Sequence, residues 1–292
     1  MSGEVIIKTE RLSHTYSAGT PFERTAIRGV SFEARHGEYV GIIGHTGSGK
    51  STFIQHLNGL LKPEAGRVLL DGADINESKD ARRRARFRVG LVFQFPEYQL
   101  FEETVYKDIA FGPRNMGLGA DETEARVREA ARFVALPEDM LEKSPFELSG
   151  GYRRRAAVAG VIAMRPEVLI LDEPTAGLDP RGRDGLLENI DAYNAERGAT
   201  VIIVTHSMEE VARRADRIAV FEDGELVMNG APADIFREGE RLQKMGLGLP
   251  KAARIAERLR ALGVPLGRDI FTIDAIRDGL IAIKNGGGGN AS

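Results

Sequence analysis

Gly44-His45-Thr46-Gly47-Ser48-Gly49-Lys50-Ser51 fits the phosphate-binding pattern G-x-x-x-x-G-K-[ST] without a gap. In such a loop the backbone N–H groups turn inward around phosphate oxygens. The N-terminus of the helix that follows adds its partial positive charge. Gly44, Gly47 and Gly49 let the chain curl without a Cβ clash. Lys50 is placed to reach the β- and γ-phosphates, and the Ser51 hydroxyl to hold Mg²⁺. The whole run from Gly44 to Thr52, with His45, Thr46, Ser48 and Thr52 included, is therefore a candidate ATP-contacting segment.

A second chemical centre follows far downstream. Val168-Leu169-Ile170-Leu171 runs directly into Asp172-Glu173. Two carboxylates at the end of an apolar strand can divide the work. Asp172, last on the strand, suits Mg²⁺, and Glu173 suits a base that takes a proton from water attacking the γ-phosphate. His206 ends another apolar run, Thr200 to Val204, after Thr205. Its imidazole can contact the γ-phosphate and fix the water. Gln94 follows Val89-Gly90-Leu91-Val92-Phe93 and can meet Mg²⁺ or the water through its amide oxygen.

The elements that must hold these residues can be read as well. Tyr39 to Ile43 is a short apolar run rich in β-branched residues and reads as a buried strand. The spacing of Phe53, Leu57 and Leu60 or Leu61 predicts a helix over 52–61. Apolar runs that stop at functional residues are the mark of an open α/β sheet, where ligands bind at the C-terminal strand ends.

These residues together resemble the ABC ATPase family, over roughly residues 4–235. The resemblance implies an α/β fold: an ABC-type P-loop nucleotide-binding domain with a RecA-like core, an antiparallel β subdomain and an α-helical signature subdomain. It makes Gln94 the Q-loop residue, Leu148-Ser149-Gly150-Gly151 the signature, Ala176-Gly177-Leu178-Asp179 the D-loop and His206 the switch histidine. It assigns Tyr16 to adenine stacking, where a packed surface tyrosine is the alternative. In that family two ATPase domains face each other, and Ser149, Gly150 and Gly151 of one close over ATP on the other. The chain departs from the pattern at Tyr152, where the family has Gln after the signature glycines. A phenol cannot imitate an amide, so the departure bears on the partner's nucleotide.

Phe93-Gln94-Phe95-Pro96-Glu97-Tyr98-Gln99-Leu100-Phe101, then Thr104 to Pro113, and Leu57 to Pro63 look like the energy-coupling-factor (cobalt/cobalamin-type) transporter ATPases, second-paralogue type. This implies ATP and Mg²⁺ as cofactors. It implies as partners a second ABC ATPase subunit, homologous or identical, an energy-coupling transmembrane protein and a substrate-binding membrane protein. The work implied is uptake of a vitamin or a transition-metal ion, from a peripheral position on the cytoplasmic face of the cell membrane. An ATPase of another ABC importer is the alternative. A soluble ABC protein of the DNA-repair type is disfavoured, because the span from Lys50 to Asp172 has no room for a long coiled coil. A non-hydrolysing scaffold is disfavoured by the presence of both Glu173 and His206.

Composition agrees with this outline. The chain has 292 residues, 42% of them hydrophobic, enough for one large domain and a small one. A net charge of −3 does not suggest nucleic acid as a partner. There is no cysteine, which excludes thiol chemistry and disulfides. Met1 to Glu4 has neither the basic nor the apolar region of a signal peptide. The longest apolar stretches, such as 156–164, are shorter than the roughly 18 residues that cross a bilayer.

Along the chain, residues 5–36 read as strands with a turn at Ser17 to Pro21, and 104–143 as helices capped by Thr104 and Asp121. The helical subdomain is placed at about 96–165, the nucleotide domain at 1–235. Glu122–Arg126 and Glu124–Arg128 are helix-supporting i,i+4 pairs. The basic run Lys79 to Arg88 is either a solvated helix or a contact for lipid headgroups or an acidic partner. Phe95, Tyr98, Leu100 and Phe101 are either subdomain core or partner contacts. Asp223-Gly224 joins a hairpin. Residues 236–285 read as a C-terminal helical dimerisation extension, with Ala252, Ile255, Ala256 and Leu259 on one face and Ile273, Ile276, Leu280 and Ile283 on another. These faces either pack back on the main domain or meet a second ATPase. Residues 286–292 read as a flexible tail.

Overall fold

The computed structural model describes residues 3–286. The chain opens with two long antiparallel strands, β1 (Val5–Tyr16) and β2 (Arg24–Arg35), then β3 (Tyr39–Gly44) and helix α1 (Lys50–Leu57). β4 (Ala65–Leu70), the short β5 (Ala73–Asp74), α2 (Lys79–Arg88) and β6 (Val89–Val92) follow. A helical stretch holds α3 (Val105–Asn115), α4 (Ala120–Phe133) and α5 (Gly150–Ile162). The chain then returns through β7 (Val168–Asp172), α6 (Pro180–Arg197), β8 (Thr200–Val204), α7 (Met208–Arg214), β9 (Arg217–Glu222) and β10 (Glu225–Gly230). The last helices are α8 (Pro232–Arg237), α9 (Gly239–Lys244), α10 (Lys251–Ala261) and α11 (Ile273–Gly286).

The strands form two sheets, ordered β2-β1-β4-β5 and β10-β9-β3-β8-β7-β6. The first is antiparallel. The second is parallel except for its β9–β10 hairpin. Alternation explains why β7 and β8 read as unbroken apolar runs. Leu169, Leu171, Val201 and Ile203 face a core shared with α3 to α6, while Val168, Ile170, Ile202 and Val204 face one shared with α1 and the antiparallel sheet. Both faces of the central strands are covered, so neither face can be polar.

Local chemistry sets several boundaries. The Thr104 side chain caps α3 by accepting from the Lys107 N–H, 3.2 Å away. Asp121 does not cap α4: Gly119 holds the cap position and Asp121 lies in the first turn, where its charge meets the helix dipole. The helix expected over 52–61 is displaced, running Lys50–Leu57. It stops because Gly59 takes φ 71° and the Leu60 and Leu61 N–H groups fold back to the Gln55 carbonyl. Asp223 and Gly224 both have positive φ, the geometry of a two-residue hairpin turn.

The C-terminal helices divide between two cores. Phe236, Leu242, Met245 and Leu247 join Ile43, Ile218 and Val220 in one core. Ala252, Ala256, Leu266, Ile270 and Ile276 form another, with Leu259 and Ile283 against it. Leu249 and Phe271 also pack against the first of these cores, so residues 236–271 do not separate cleanly from it. Ile255, Ile273 and Leu280, on the faces expected either to pack back on the main domain or to meet a second ATPase, are exposed. Of the tail expected at 286–292, Gly286 ends α11, and 287–292 lie outside the described residues.

Candidate active site

Strand register alone gathers the candidates. Ile42 of β3 and Asp172 of β7 both pair with Val204 of β8, and Leu171 pairs with Val92 of β6. The residues just beyond these positions are the Gly44 loop, Glu173, His206 and Gln94. All leave the sheet at its C-terminal edge.

The Gly44–Ser51 loop wraps the lysine. The Lys50 ammonium donates to the Gly44 and His45 carbonyls, each at 2.8 Å, and to Ser48 Oγ at 3.3 Å. Burial pulls the Lys50 pKa below the ordinary lysine value, and the charges of Glu173 and Asp172 push it back up. Gly49 has φ 98°, and a Cβ there would meet the Ala26 carbonyl at 2.4 Å, so only glycine fits. His45 Nδ1 lies 2.9 Å from the Thr46 carbonyl.

Asp172 is buried. Burial raises its pKa above the ordinary aspartate value, while a hydrogen bond from Ser51 opposes the rise. Glu173 leaves the strand with φ 47°, a conformation costing about 1–3 kcal/mol outside glycine. Its carboxylate is held at both oxygens. His206 Nε2 is 2.7 Å from Oε1, and Gln94 Nε2 donates to Oε2 at 3.0 Å. Glu173, His206 and Gln94 are therefore one hydrogen-bonded group, close enough to Lys50 for its pKa to register Glu173.

The oxygens of Ser51, Asp172 and Gln94 are hard donors. Among the described residues no three His, Cys, Asp or Glu side chains make a ready metal cage. That set fits Mg²⁺, which keeps waters and takes a few protein oxygens beside phosphate.

Tyr16 lines a cleft of about 190 Å³ with Arg24, Gly47, Lys50, Ser51 and Thr52. Its hydroxyl is 3.3 Å from Thr52 Oγ1, and its ring meets the His14 ring edge-on at 4.7 Å. The ring is 40% exposed, so a face is open to a flat ligand. Arg24 was not legible as a site residue: it is one arginine in a strand, and only the fold carries it to Gly47, whose added Cβ would lie 3.2 Å from its guanidinium.

Ser149, Gly150 and Gly151 are not brought to this cleft. Ser149 precedes α5 with no side-chain cap bond, and all three residues are exposed. Ser149 and Gly151 line a different cleft, of about 300 Å³, with Tyr152, Leu178, Asp179 and Arg181. Tyr152 is half-buried against the helical core, so its ring is partly a packing group.

The ABC transporter family model matches residues 27–176, and an AAA-domain model matches residues 141–212, partly overlapping it. The chain belongs to the ABC transporter family. Its curated relatives narrow the branch. It is 49% identical to an "Energy-coupling factor transporter ATP-binding protein EcfA2" of Caldanaerobacter subterraneus, over 96% of this chain and 98% of that one. It is 51% identical to the protein of the same name from Clostridium perfringens, over 95% and 98%. The solved structure of cbiO1 from Clostridium perfringens, described as part of the ABC transporter complex cbiONQ, superposes with TM-score 0.73 at 39% identity, covering 87% of this chain and 99% of that one. A dimeric ATP-binding cassette bound to ADP and Pi superposes at 0.71 with 28% identity, covering 78% and 99%. The ABC ATPase is thus of the energy-coupling-factor branch, and ATP hydrolysis is its reaction.

Proposed function

We propose that this ATPase powers uptake of a vitamin or transition-metal ion through membrane partners, and that hydrolysis runs on Glu173 as general base. The observation carrying the base assignment is the double hold on its carboxylate. His206 and Gln94 grip the two oxygens, and the Glu173 charge is felt at Lys50. Lys50 and the loop N–H groups bind the β- and γ-phosphates. Tyr16 stacks on adenine. Ser51, Asp172 and Gln94 supply oxygens to Mg²⁺, which when bound offsets phosphate charge. Glu173 takes the proton of the attacking water, and His206 holds that water and the carboxylate in line.

The exposed Ser149, Gly150 and Gly151 serve the nucleotide of a second ATPase, identical or homologous. The exposed Ile255, Leu262 and Ile273 of the C-terminal region add to that contact. The coupling membrane protein docks in an apolar cleft of about 320 Å³ beside the Gln94 loop, lined by Phe87, Leu91, Phe93, Phe101 and Phe111. Leu100 is buried in the core, whereas Phe95, Tyr98 and Phe101 are exposed, which favours partner contact for those three. The basic helix α2 is less free than its composition suggests. Arg83 bonds the Asn115 carbonyl, Arg86 the Gly59 carbonyl, and Arg88 both Asp71 and Glu167. No helix among the described residues is long and apolar enough to cross a membrane. On this reading the membrane work belongs to the partners, with the ATPase at the cytoplasmic face.

The test is Glu173→Gln in the complex purified from membranes. The neutral amide keeps the shape and loses the base. Turnover should fall by roughly 10²–10⁴-fold, the usual worth of a general base, with ATP still bound. Unchanged turnover rejects the assignment, and recovery of permeases of another importer class in the same preparation rejects the transporter type.

A further inference from the structure

A buried arginine behind the catalytic group is used by none of the roles above. Arg154 sits on α5, the helix that Ser149 opens, and its side chain is 3% exposed. Its guanidinium forks onto Glu97, with Nε to Oε2 and Nη2 to Oε1 both at 3.1 Å. Nη1 donates to the Pro174 carbonyl at 3.4 Å and to the Ala176 carbonyl. The guanidinium carbon lies 5.6 Å from the Phe95 ring centroid. Glu97 and Phe95 belong to the loop that carries Gln94. Pro174 and Ala176 belong to the loop that carries Glu173.

Both loops begin in a conformation they do not prefer. Phe95 has φ 55° and Glu173 φ 47°, in the left-handed region that disfavours side chains. Such turns persist when their surroundings over-determine them. Arg154 supplies that hold on one side. On the other, the buried Glu210 accepts from Thr175 Oγ1 at 3.0 Å and Thr205 Oγ1 at 2.8 Å, tying the Glu173 loop to the residue before His206. The circuit closes at the front through the Gln94–Glu173 bond.

We propose that Arg154, through Glu97, is a positioning residue that ties the Gln94 loop and the Glu173 loop to the signature helix and so sets Glu173 against Gln94. A planar fork is required, because the guanidinium meets a carboxylate at two points and backbone carbonyls at others. A lysine keeps the charge but satisfies fewer of these acceptors. The inference rests on Glu173 acting as the base, and Glu173→Gln in the same complex tests that separately.

The experiment measures kcat and KM for ATP in the assembled membrane complex for Arg154→Lys, Glu97→Gln and the double variant, with a thermal melt of each. Because an ångström-scale misplacement can cost on the order of 10²-fold in rate, each single change should lower kcat by roughly 10–100-fold. KM should stay within about twofold, since Lys50 and Tyr16 are untouched, while the melting temperature should fall by several degrees for Glu97→Gln, which leaves the buried guanidinium without its carboxylate. The double variant should be no slower than the worse single, because both changes break one unit. Unchanged kcat overturns the proposal, as do multiplying losses in the double variant. A fall in kcat matched by an equal rise in KM also overturns it, because that marks a general structural role. Glu97→Asp, which keeps the charge but shortens the reach, should lose less than Glu97→Gln.

Discussion

At the scale of single residues, the proposed roles separate groups that bind from groups that react. Tyr16 is on the binding side: its hydroxyl is fixed near Thr52, its edge rests on His14, and His14 rests on His56 at 4.8 Å. A ring held this way presents a rigid stacking face. Base–aromatic stacking contributes about 1–3 kcal/mol, so Tyr16→Ala should raise the ATP Kd by roughly tenfold while saturated turnover changes little. Fluorescent-nucleotide titration beside steady-state kinetics checks this, and an equal loss in both would place Tyr16 in the reaction instead. Lys50, Ser51, Asp172, Glu173 and His206 were legible from sequence because each ends or follows a local signature. Arg24, Arg154 and Glu210 were not, because their meaning lies in contacts between distant segments. In sequence, Arg154 is one member of a basic triplet beside the signature; buried in the fold, it bonds two loops.

At the scale of elements, strand register does most of the placing, and one arginine joins the two sheets that must keep it. Arg217 on β9 bonds Glu38, between β2 and β3, with Nε to Oε1 at 2.7 Å and Nη2 to Oε2 at 3.0 Å. It also donates to the Glu33 carbonyl and to Asn229 Oδ1, and lies 5.4 Å from the Phe32 ring centroid. Removing one member strands a largely buried charge, so Arg217→Met should destabilise the fold by about 3 kcal/mol. For a chain of this size that is a fall in Tm of roughly 6–10 °C. Burial opposes ionisation of Glu38, but the Arg217 bond and the Arg35 N–H prevail and hold its pKa below the ordinary 4.5. A carboxylate lowered in the folded state stabilises fully above its unfolded value and loses that contribution as pH falls through the folded one. The gap in Tm between parent and Arg217→Met should therefore be widest near neutrality and shrink on acidification below 4.5. A gap independent of pH would assign the loss to packing alone. The alternating apolar strands and the Asp223-Gly224 turn were legible because their signals are local. The end of α1 and the cap of α4 were not, because Gly59 and Gly119 outcompete the periodic residues beside them.

At the scale of the whole molecule, the binding cleft and the signature are far enough apart in the fold to line separate clefts. One holds Tyr16, Lys50 and Ser51; the other holds Ser149 and Gly151 with Asp179 and Arg181. On the proposed reading, a single chain carries two halves of different sites. The donors at the start of α5 are exposed and lack a side-chain cap, as befits groups that meet an anion from outside. Two consequences can be separated experimentally. In a Glu173→Gln background, where ATP is bound but not consumed, Lys50→Ala should abolish nucleotide binding by the isolated chain. Gly151→Asp should leave that binding within about twofold, because Gly151 is exposed and lines a cleft that Lys50 does not share. The same Gly151→Asp change sets a carboxylate against the triphosphate of the pairing ATPase, so ATP-driven association should be lost. Equilibrium titration reads the first effect and sedimentation velocity with and without ATP reads the second. If Gly151→Asp weakened ATP binding by the lone chain as strongly as it weakened association, the signature would belong to the chain's own site, and the division of the molecule into two half-sites would fail.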